Sequence, residues 1–456
     1  MCLTKETEGV LRAGIHTGVL PKTFRDAVSV CSRLDAEFLW IDSLCIFQDN
    51  LQDWATEAAL MHSVYKNALL NIAANGAADA SVGLSFERNP LSFRPFYVST
   101  GSAKWVFPPD WPAISIRNGP LIRRAWVLQE RILSTRIAHF TVAGARWECM
   151  QHLASEIHPS DSVNQFGLGI DNSQMFKEAF AELAMSKRGS LDVKSVSEHR
   201  VCYNCWLGLL SDYSRCGITK SDDKLAAIQG IAHMIKDTVG VEVVCGMWKD
   251  LLVPELLWEI DTYDHQPDPP HLLQWRAPSW SWANSDFRLE QLMYAIRHLE
   301  CPGFEELARI THLNVTALPS GQVSDASLTL KGKPVRAKII AEVPTCEWRP
   351  LAVLSCKDQA FQMDARCFVF DRSPLLPHTD ELTFLALTRC HCTVEQRWDW
   401  SSYKDARPTI AALMLRRLPT TPPTYSRVGV SFMNTKDACD FYEQNQSAED
   451  EELALV

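Results

Sequence analysis

Phe38-Leu39-Trp40-Ile41-Asp42 stands between two helix-patterned stretches, and its reading decides the fold. Four apolar residues in a row that stop at a carboxylate suit a strand buried on both faces, as in a parallel sheet covered by helices. Upstream, Phe24, Ala27, Val28, Cys31 and Leu34 recur at helical spacing between Pro21 and Leu34. Thr23 and Asp26 supply a capping-box signature at that helix's start. Downstream, Asn50 or Asp53 can cap a helix running to about Asn67, with Trp54, Ala58, Met61, Val64 and Tyr65 on one side. Leu69-Leu70-Asn71-Ile72-Ala73-Ala74 follows as a second buried strand. Helix, strand, helix, strand predicts an α/β layer arrangement.

Beyond Asn75 the pattern dissolves into Gly, Pro and Ser as far as Asn118, which reads as a long connection. Order resumes with a helix over Pro120–Leu133 and two strands, Arg136–Val142 and Ala145–Met150. The polar stretch from Ser155 to Ser173 marks a boundary. Residues 174–265 read as helical, with Ser221-Asp222-Asp223 at a helix start and Leu225, Ile228, Ile231 and Ile235 along one face. Pro267–Pro270 is a break. After it come short β-prone runs such as Ser327–Leu330, Cys367–Phe370 and Leu382–Leu385. The divisions expected are 1–157, 158–274, a β-rich 275–435, and an acidic tail over 436–456 whose Glu449-Asp450-Glu451-Glu452 reads as disordered.

The charge balance narrows the function classes. Against 55 Asp and Glu the chain has 45 Lys and Arg, a formal charge of −10. Broad binding to nucleic acid or to an anionic lipid surface needs a positive face, so neither is expected. No apolar run is long enough for a membrane-spanning helix, and Met1–Glu6 lacks a secretory pattern. A cytoplasmic protein is expected, its 15 cysteines reduced and mostly buried.

Three blocks carry a resemblance. The first runs Leu20-Pro21-Lys22-Thr23-Phe24-Arg25-Asp26-Ala27, then Phe38 through Asp49, then Asp53-Trp54-Ala55-Thr56-Glu57-Ala58 and Val64-Tyr65-Lys66-Asn67-Ala68. The second is Arg124-Ala125-Trp126-Val127-Leu128-Gln129-Glu130-Arg131, followed by Trp147-Glu148-Cys149. The third joins Asp223-Lys224-Leu225 with Ala277-Pro278-Ser279-Trp280-Ser281-Trp282. Across about 1–285 the sequence resembles the heterokaryon incompatibility (HET) domain proteins of filamentous fungi. The resemblance implies a role in non-self recognition that ends in programmed cell death. It also implies a TIR-like, flavodoxin-like parallel-sheet fold for the first division. Family members usually open with a strand and a Leu-Ser-Tyr-x-Trp-Gly block ahead of the helix; neither precedes Pro21 here, so the domain is expected to be N-terminally truncated. A protein partner or self-association is expected, with a non-catalytic interaction module or a degenerate copy as one alternative.

A second alternative is enzymatic. Asp42 ends a strand where ligand sites collect in parallel α/β sheets, and it could hold ribose hydroxyls. Its plainer role is to cap the next turn through the Ser43 and Leu44 amides. Glu57 lies three residues after Trp54, and NAD-cleaving TIR domains carry a Trp shortly before a catalytic Glu. Glu57 could therefore stabilise an oxocarbenium-like ribosyl centre with NAD as substrate, against the plainer reading of a solvated first-turn acid. Gln129-Glu130-Arg131 could add a second carboxylate, though a surface ion pair or an interdomain anchor suits those residues better. Trp40, Trp126, Trp280 and Trp282 read as core. His199, Cys202, Cys205 and Cys216, like Cys390-His391-Cys392, lack the paired spacing of a zinc site, so no metal is expected. Walker, GxGxxG, HExxH and GxSxG patterns are absent from the sequence.

Overall fold

The computed structural model describes residues 2–88, 96–101, 103–107, 116, 119–150, 152–156, 172–189, 196–260, 275–289, 304–345, 349–356, 359–364, 368–370, 381–390, 409–433 and 436–456. It divides into two units. The first comprises Met1–Cys205, Cys216–Met234 and Pro319–Gly321. The second comprises Trp206–Arg215, Ile235–Leu318 and Gln322–Val456.

The first unit opens with the short helix α1 (Glu8–Ala13), then α2 (Lys22–Arg33), one turn at α3 (Asp42–Cys45) and the long α4 (Leu51–Asn67). Strand β1 (Asn71–Ala73) follows, then a hairpin of β2 (Phe96–Thr100) and β3 (Ala103–Phe107). Helix α5 (Ala125–Leu133), strands β4 (Arg136–Thr141), β5 (Gly144–Cys149) and β6 (Leu153–Ser155), and helix α6 (Asn172–Gly189) complete the series. The sheet has the order β1-β4-β5-β6. β1 runs parallel to β4, with Asn71 opposite Ile137, and the remaining pairs are antiparallel. Mixed α/β architecture is thus present. α5 is its pivot, burying Val127, Leu128, Ile132 and Leu133.

The capping expectations resolve individually. Asn50 caps α4, its side-chain oxygen accepting from the Gln52 and Asp53 amides at 3.1 and 3.3 Å. At α2 the signature was misleading, because Pro21 sits at the cap and offers no side-chain bond. Thr23 Oγ1 and Asp26 Oδ2 instead accept from the Gly83 and Leu84 amides at 3.0 and 2.9 Å, tying a distant loop to the helix start.

The Phe38–Ile41 strand is not formed. These residues are unpaired, Phe38 is 89% exposed, and Asp42 begins α3. An apolar run becomes a strand only when a neighbour accepts its backbone bonds. Among the described residues none does so here.

In the region expected to be helical, α6, Val196–Ser214 and Gln229–Val239 are helices. Ser221 starts only a 3-10 turn, Ser221–Lys224, preceded by Lys220 without a side-chain cap. Short strands Val243–Val244 and Met247–Trp248 also occur there. The Pro267–Pro270 break, His391 and Cys392 lie outside the described residues, as does most of the Ser155–Ser173 boundary.

The second unit is built on an eleven-stranded, mostly antiparallel sheet among the described residues. Its strands Glu381–Cys390 and Thr409–Arg417 are buried almost throughout. Helix Lys436–Asn445 packs Ala438, Cys439, Phe441 and Tyr442 on Phe384, Ile410 and Met414. The acidic tail is therefore not disordered. Glu451–Leu455 is a strand that pairs antiparallel with Val323–Gly332 and parallel with Thr424–Met433, in an interior position of the sheet. Trp280 and Trp282 are buried, as expected of core, but in a turn rather than on a strand face; Trp282 donates to the Gly246 carbonyl at 2.9 Å. No described helix is long and apolar enough to cross a membrane.

Candidate functional site

A cavity of about 730 Å3 opens in the first unit, within the size range of ordinary ligand sites. Residues 36–42 and 67–74 line it in unbroken series, joined by one face of α2, the start of α5, and Ile137 and His139 of β4. Asp42, Tyr65, Arg124, Glu130 and Arg131 are among its polar groups, with Glu37, Asp79 and His139 also on the lining. The first three are each positioned by a local rule. Asp42 is the first residue of α3, where its Oδ1 accepts from the Ser43 amide at 2.7 Å. Tyr65 lies in the last turn of α4, edge-on to Trp40 at 5.7 Å between centroids. Arg124 is the extended residue before α5, fixed where Ala125 donates to the Gly217 carbonyl at 3.0 Å.

Glu130 is the chemically distinctive member. Burial raises its carboxyl to about 7; the Tyr65 hydroxyl and Arg124 pull it back, while the negative charge of Asp42 adds to the rise. A carboxyl poised there can hold or release a proton near neutral pH. The Tyr65 hydroxyl is pushed well above its ordinary value, by burial first and then by Glu130. It remains a donor.

The triplet at 129–131 divides, because successive helical residues point about 100° apart. Gln129 is buried and accepts from the Gly230 amide at 3.1 Å. Glu130 faces the cavity. Arg131 is 4% exposed and pairs with Glu148 at 2.7 Å, so the expected surface ion pair is a buried one. Gly230 is needed at its position: a Cβ there would stand 2.8 Å from His62 Cβ and from Leu133 Cδ1.

Behind the cavity Glu148 gathers a fully buried network. Lys177 Nζ of α6 lies 2.8 Å from Glu148 Oε1, and Arg131 Nε and His139 Nε2 reach Oε2 at 2.8 and 3.1 Å. Asn75 Nδ2 donates to His139 Nδ1 at 3.1 Å, which leaves the imidazole proton on Nε2, facing the carboxylate. Burial alone would raise Glu148, but Arg131, Lys177 and His139 outweigh it and hold the carboxyl well below the usual range. Burial lowers His139 despite the carboxylate beside it. In the sequence Glu148 stands only within the Trp147-Glu148-Cys149 block, and nothing there marks its pairing, since its cations come from two other elements.

Of the two acids singled out from the sequence, Asp42 lines the cavity and Glu57 does not. Glu57 sits half-buried on α4. Trp54 packs edge-on against Trp126 at 6.3 Å, under the Lys220 ammonium. Cys202 and Cys205 are buried in the Val196–Ser214 helix, while the His199 side chain lies outside the described residues. Among the described residues no group of three or more His, Cys, Asp or Glu side chains could hold a metal ion.

Among comparisons with known proteins, one concerns the N-terminal part. Residues 3–130 match the family model described as Heterokaryon incompatibility protein (HET). Neither the curated proteins nor the solved structures compared gave a match. The matched stretch supplies both series at 36–42 and 67–74, α2, and α5 as far as Glu130.

Proposed function

We propose that this chain, which carries a HET domain at residues 3–130, is an incompatibility-type protein whose activation leads to programmed cell death in a fungal cell. The observation that carries the reading is that the matched residues build most of one cavity, so the family pattern and the chain's candidate site coincide. A TIR-like arrangement is part of the proposal. It is supported by β1 running parallel to β4, with α4 packed on α5. The β-rich second unit would serve as the sensing part, in contact with a protein partner. Regulated expression in a filamentous fungus should lower viability by at least tenfold. Normal growth at verified protein levels would overturn the killer role.

A second reading, cleavage of NAD, is favoured by Glu130. Asp42 would hold the ribose, as the sequence suggested, while the acid that shares its cavity is Glu130 rather than Glu57. Purified protein given NAD should release nicotinamide, and Glu130→Gln should lower the rate at least a hundredfold. If Glu57→Ala abolished turnover and Glu130→Gln did not, the reaction would belong to α4 and not to this cavity. Absence of turnover in every variant removes the enzymatic reading and leaves the signalling role standing.

A further inference from the structure

The strand Arg309–Ala317 ends the strand order of the second unit's sheet and pairs with Val323–Gly332 alone. Ile310–Ala317 make no other backbone-to-backbone bond, so among the described residues their outer edge is open. An open edge offers a row of N–H and C=O groups to any strand that fits, and lysines or prolines usually guard it. Neither does so here. Ile310–Ser324 holds no Asp, Glu, Lys or Arg over fifteen residues, in a chain that is 22% charged, and no Pro stands within the strand. Two apolar rows run across the sheet and stop at this edge. Leu455 is opposite Leu328 and Leu328 opposite Leu313; Leu453 is opposite Leu330 and Leu330 opposite Ile310. The four inner leucines are buried, whereas Leu313 and Ile310 are only half-buried.

A strand that continues these rows must be apolar on one face, polar on the other and free of charge. That describes the edge itself. Leu313 and Val315 lie on the core face, while His312, Asn314 and Thr316 lie on the opposite face and are exposed. Irregularities at Ile310/His312 and Thr316/Ala317 confine the regular ladder to residues 312–316, whose centre is Asn314. We propose that the second unit pairs edge to edge with a second copy of this chain, as an antiparallel ladder over 312–316 about a two-fold axis at Asn314. In that register Leu313 of each copy meets Val315 of the other, His312 meets Thr316, and Asn314 meets Asn314. The two apolar cross pairs prolong the leucine row, such pairs being the unit of sheet stabilisation. No charge opposes its like, which matters because each copy carries a formal −10. The contact is self-complementary and closes at two copies. Five paired residues make a small interface, so the dimer is a weak one, half-associated at roughly 10–100 μM. The inference involves the second unit alone and is independent of the killing role and of NAD cleavage.

Sedimentation equilibrium of the full chain, from about 1 to about 200 μM, tests the pairing. A monomer–dimer equilibrium is expected. Asn314→Lys and Asn314→Asp, at an exposed position, should each weaken the dimer about tenfold or more by setting like charges face to face, with the thermal transition unchanged. An equimolar mixture of the two should restore association, because at a two-fold axis residue 314 meets only its own counterpart. Hydrogen exchange at 312–316 should slow with concentration in the unaltered chain and in neither variant alone. Gln362→Lys, on the strand Gln359–Asp364 at the opposite end of the sheet, should leave the dimer intact. A chain that stays monomeric throughout overturns the proposal, as does association that Asn314→Lys leaves untouched. Assembly that grows past the dimer, or that Gln362→Lys abolishes, would set this edge against another surface and overturn the two-fold pairing. Weakening by both single variants without recovery in the mixture would show that residue 314 does not face itself, and overturns it too.

Discussion

Replacing Glu148 by glutamine should cost the first unit about 3–5 kcal/mol, a fall of roughly 10 °C in its thermal transition. The reason is the company it keeps. Glu148 and Lys177 have no exposed side-chain surface and Arg131 only 4%. With the carboxylate neutralised, two cations remain away from water with no counter-charge, and desolvation then goes uncompensated. The loss should be partly reversed in Glu148→Gln/Lys177→Met, where one stranded cation is also removed. A shift below about 1 kcal/mol in urea unfolding of the single variant would show that the site is wetter than its geometry.

The same network fixes the sign of the pH dependence. Glu148 is held below its ordinary value, so its contribution is full above the unfolded carboxylate range and is lost as pH falls through the folded value. His139 acts in the same direction. With its value lowered from 6.5, the unfolded chain takes up a proton before the folded one, and stability begins to fall as the solution drops below about that pH. Glu130 opposes both: its raised carboxyl favours the fold below the unfolded carboxylate range, and that contribution disappears as pH rises through about 7. Glu148→Gln should therefore flatten the acid limb of the stability profile.

The second large effect is expected at Leu455. It is fully buried, opposite the equally buried Leu328, and Leu453 stands likewise opposite Leu330. Leu455→Asp sets a carboxylate in that layer and should destabilise the second unit by about 4 kcal/mol or more. Deleting residues 451–456 should do further harm, since Val323–Gly332 and Thr424–Met433 would each be left with an unbonded edge, and such edges pair with other chains. Soluble yield and sedimentation should then report aggregates. Glu452→Gln, on an exposed position of the same strand, is the control and should change stability by less than about 0.5 kcal/mol. If Leu455→Asp behaved like that control, the strand would not be part of the packed sheet.

These outcomes bear on what could be read beforehand. α2, α4, α5 and the β4–β5 pair were legible because each carries its own periodicity, and the β-rich last part because its apolar runs are short and separated by Pro and Gly. Phe38–Ile41 misled because local composition reports a wish for burial but not the presence of a neighbour. The tail misled for a different reason: four acids in a row outweighed the alternation of Leu453 and Leu455 just behind them. Asp42 draws notice in the sequence because it ends an apolar run, and Glu130 only as one member of the 129–131 triplet. The meeting of Glu130 with Tyr65, and of Glu148 with Lys177, depends on contacts 65 and 29 residues apart in the chain, which no spacing rule encodes.

The strand at 451–455 also sets a schedule for synthesis. The ribosome delivers residues 323–332 and 424–433 before the piece that is laced between them, so the seam stays unstitched until Leu455 has emerged. A chain released before that strand is made would present a gaping sheet that quality-control proteases can grip, which ties the lifetime of such a fragment to whether the seam has closed.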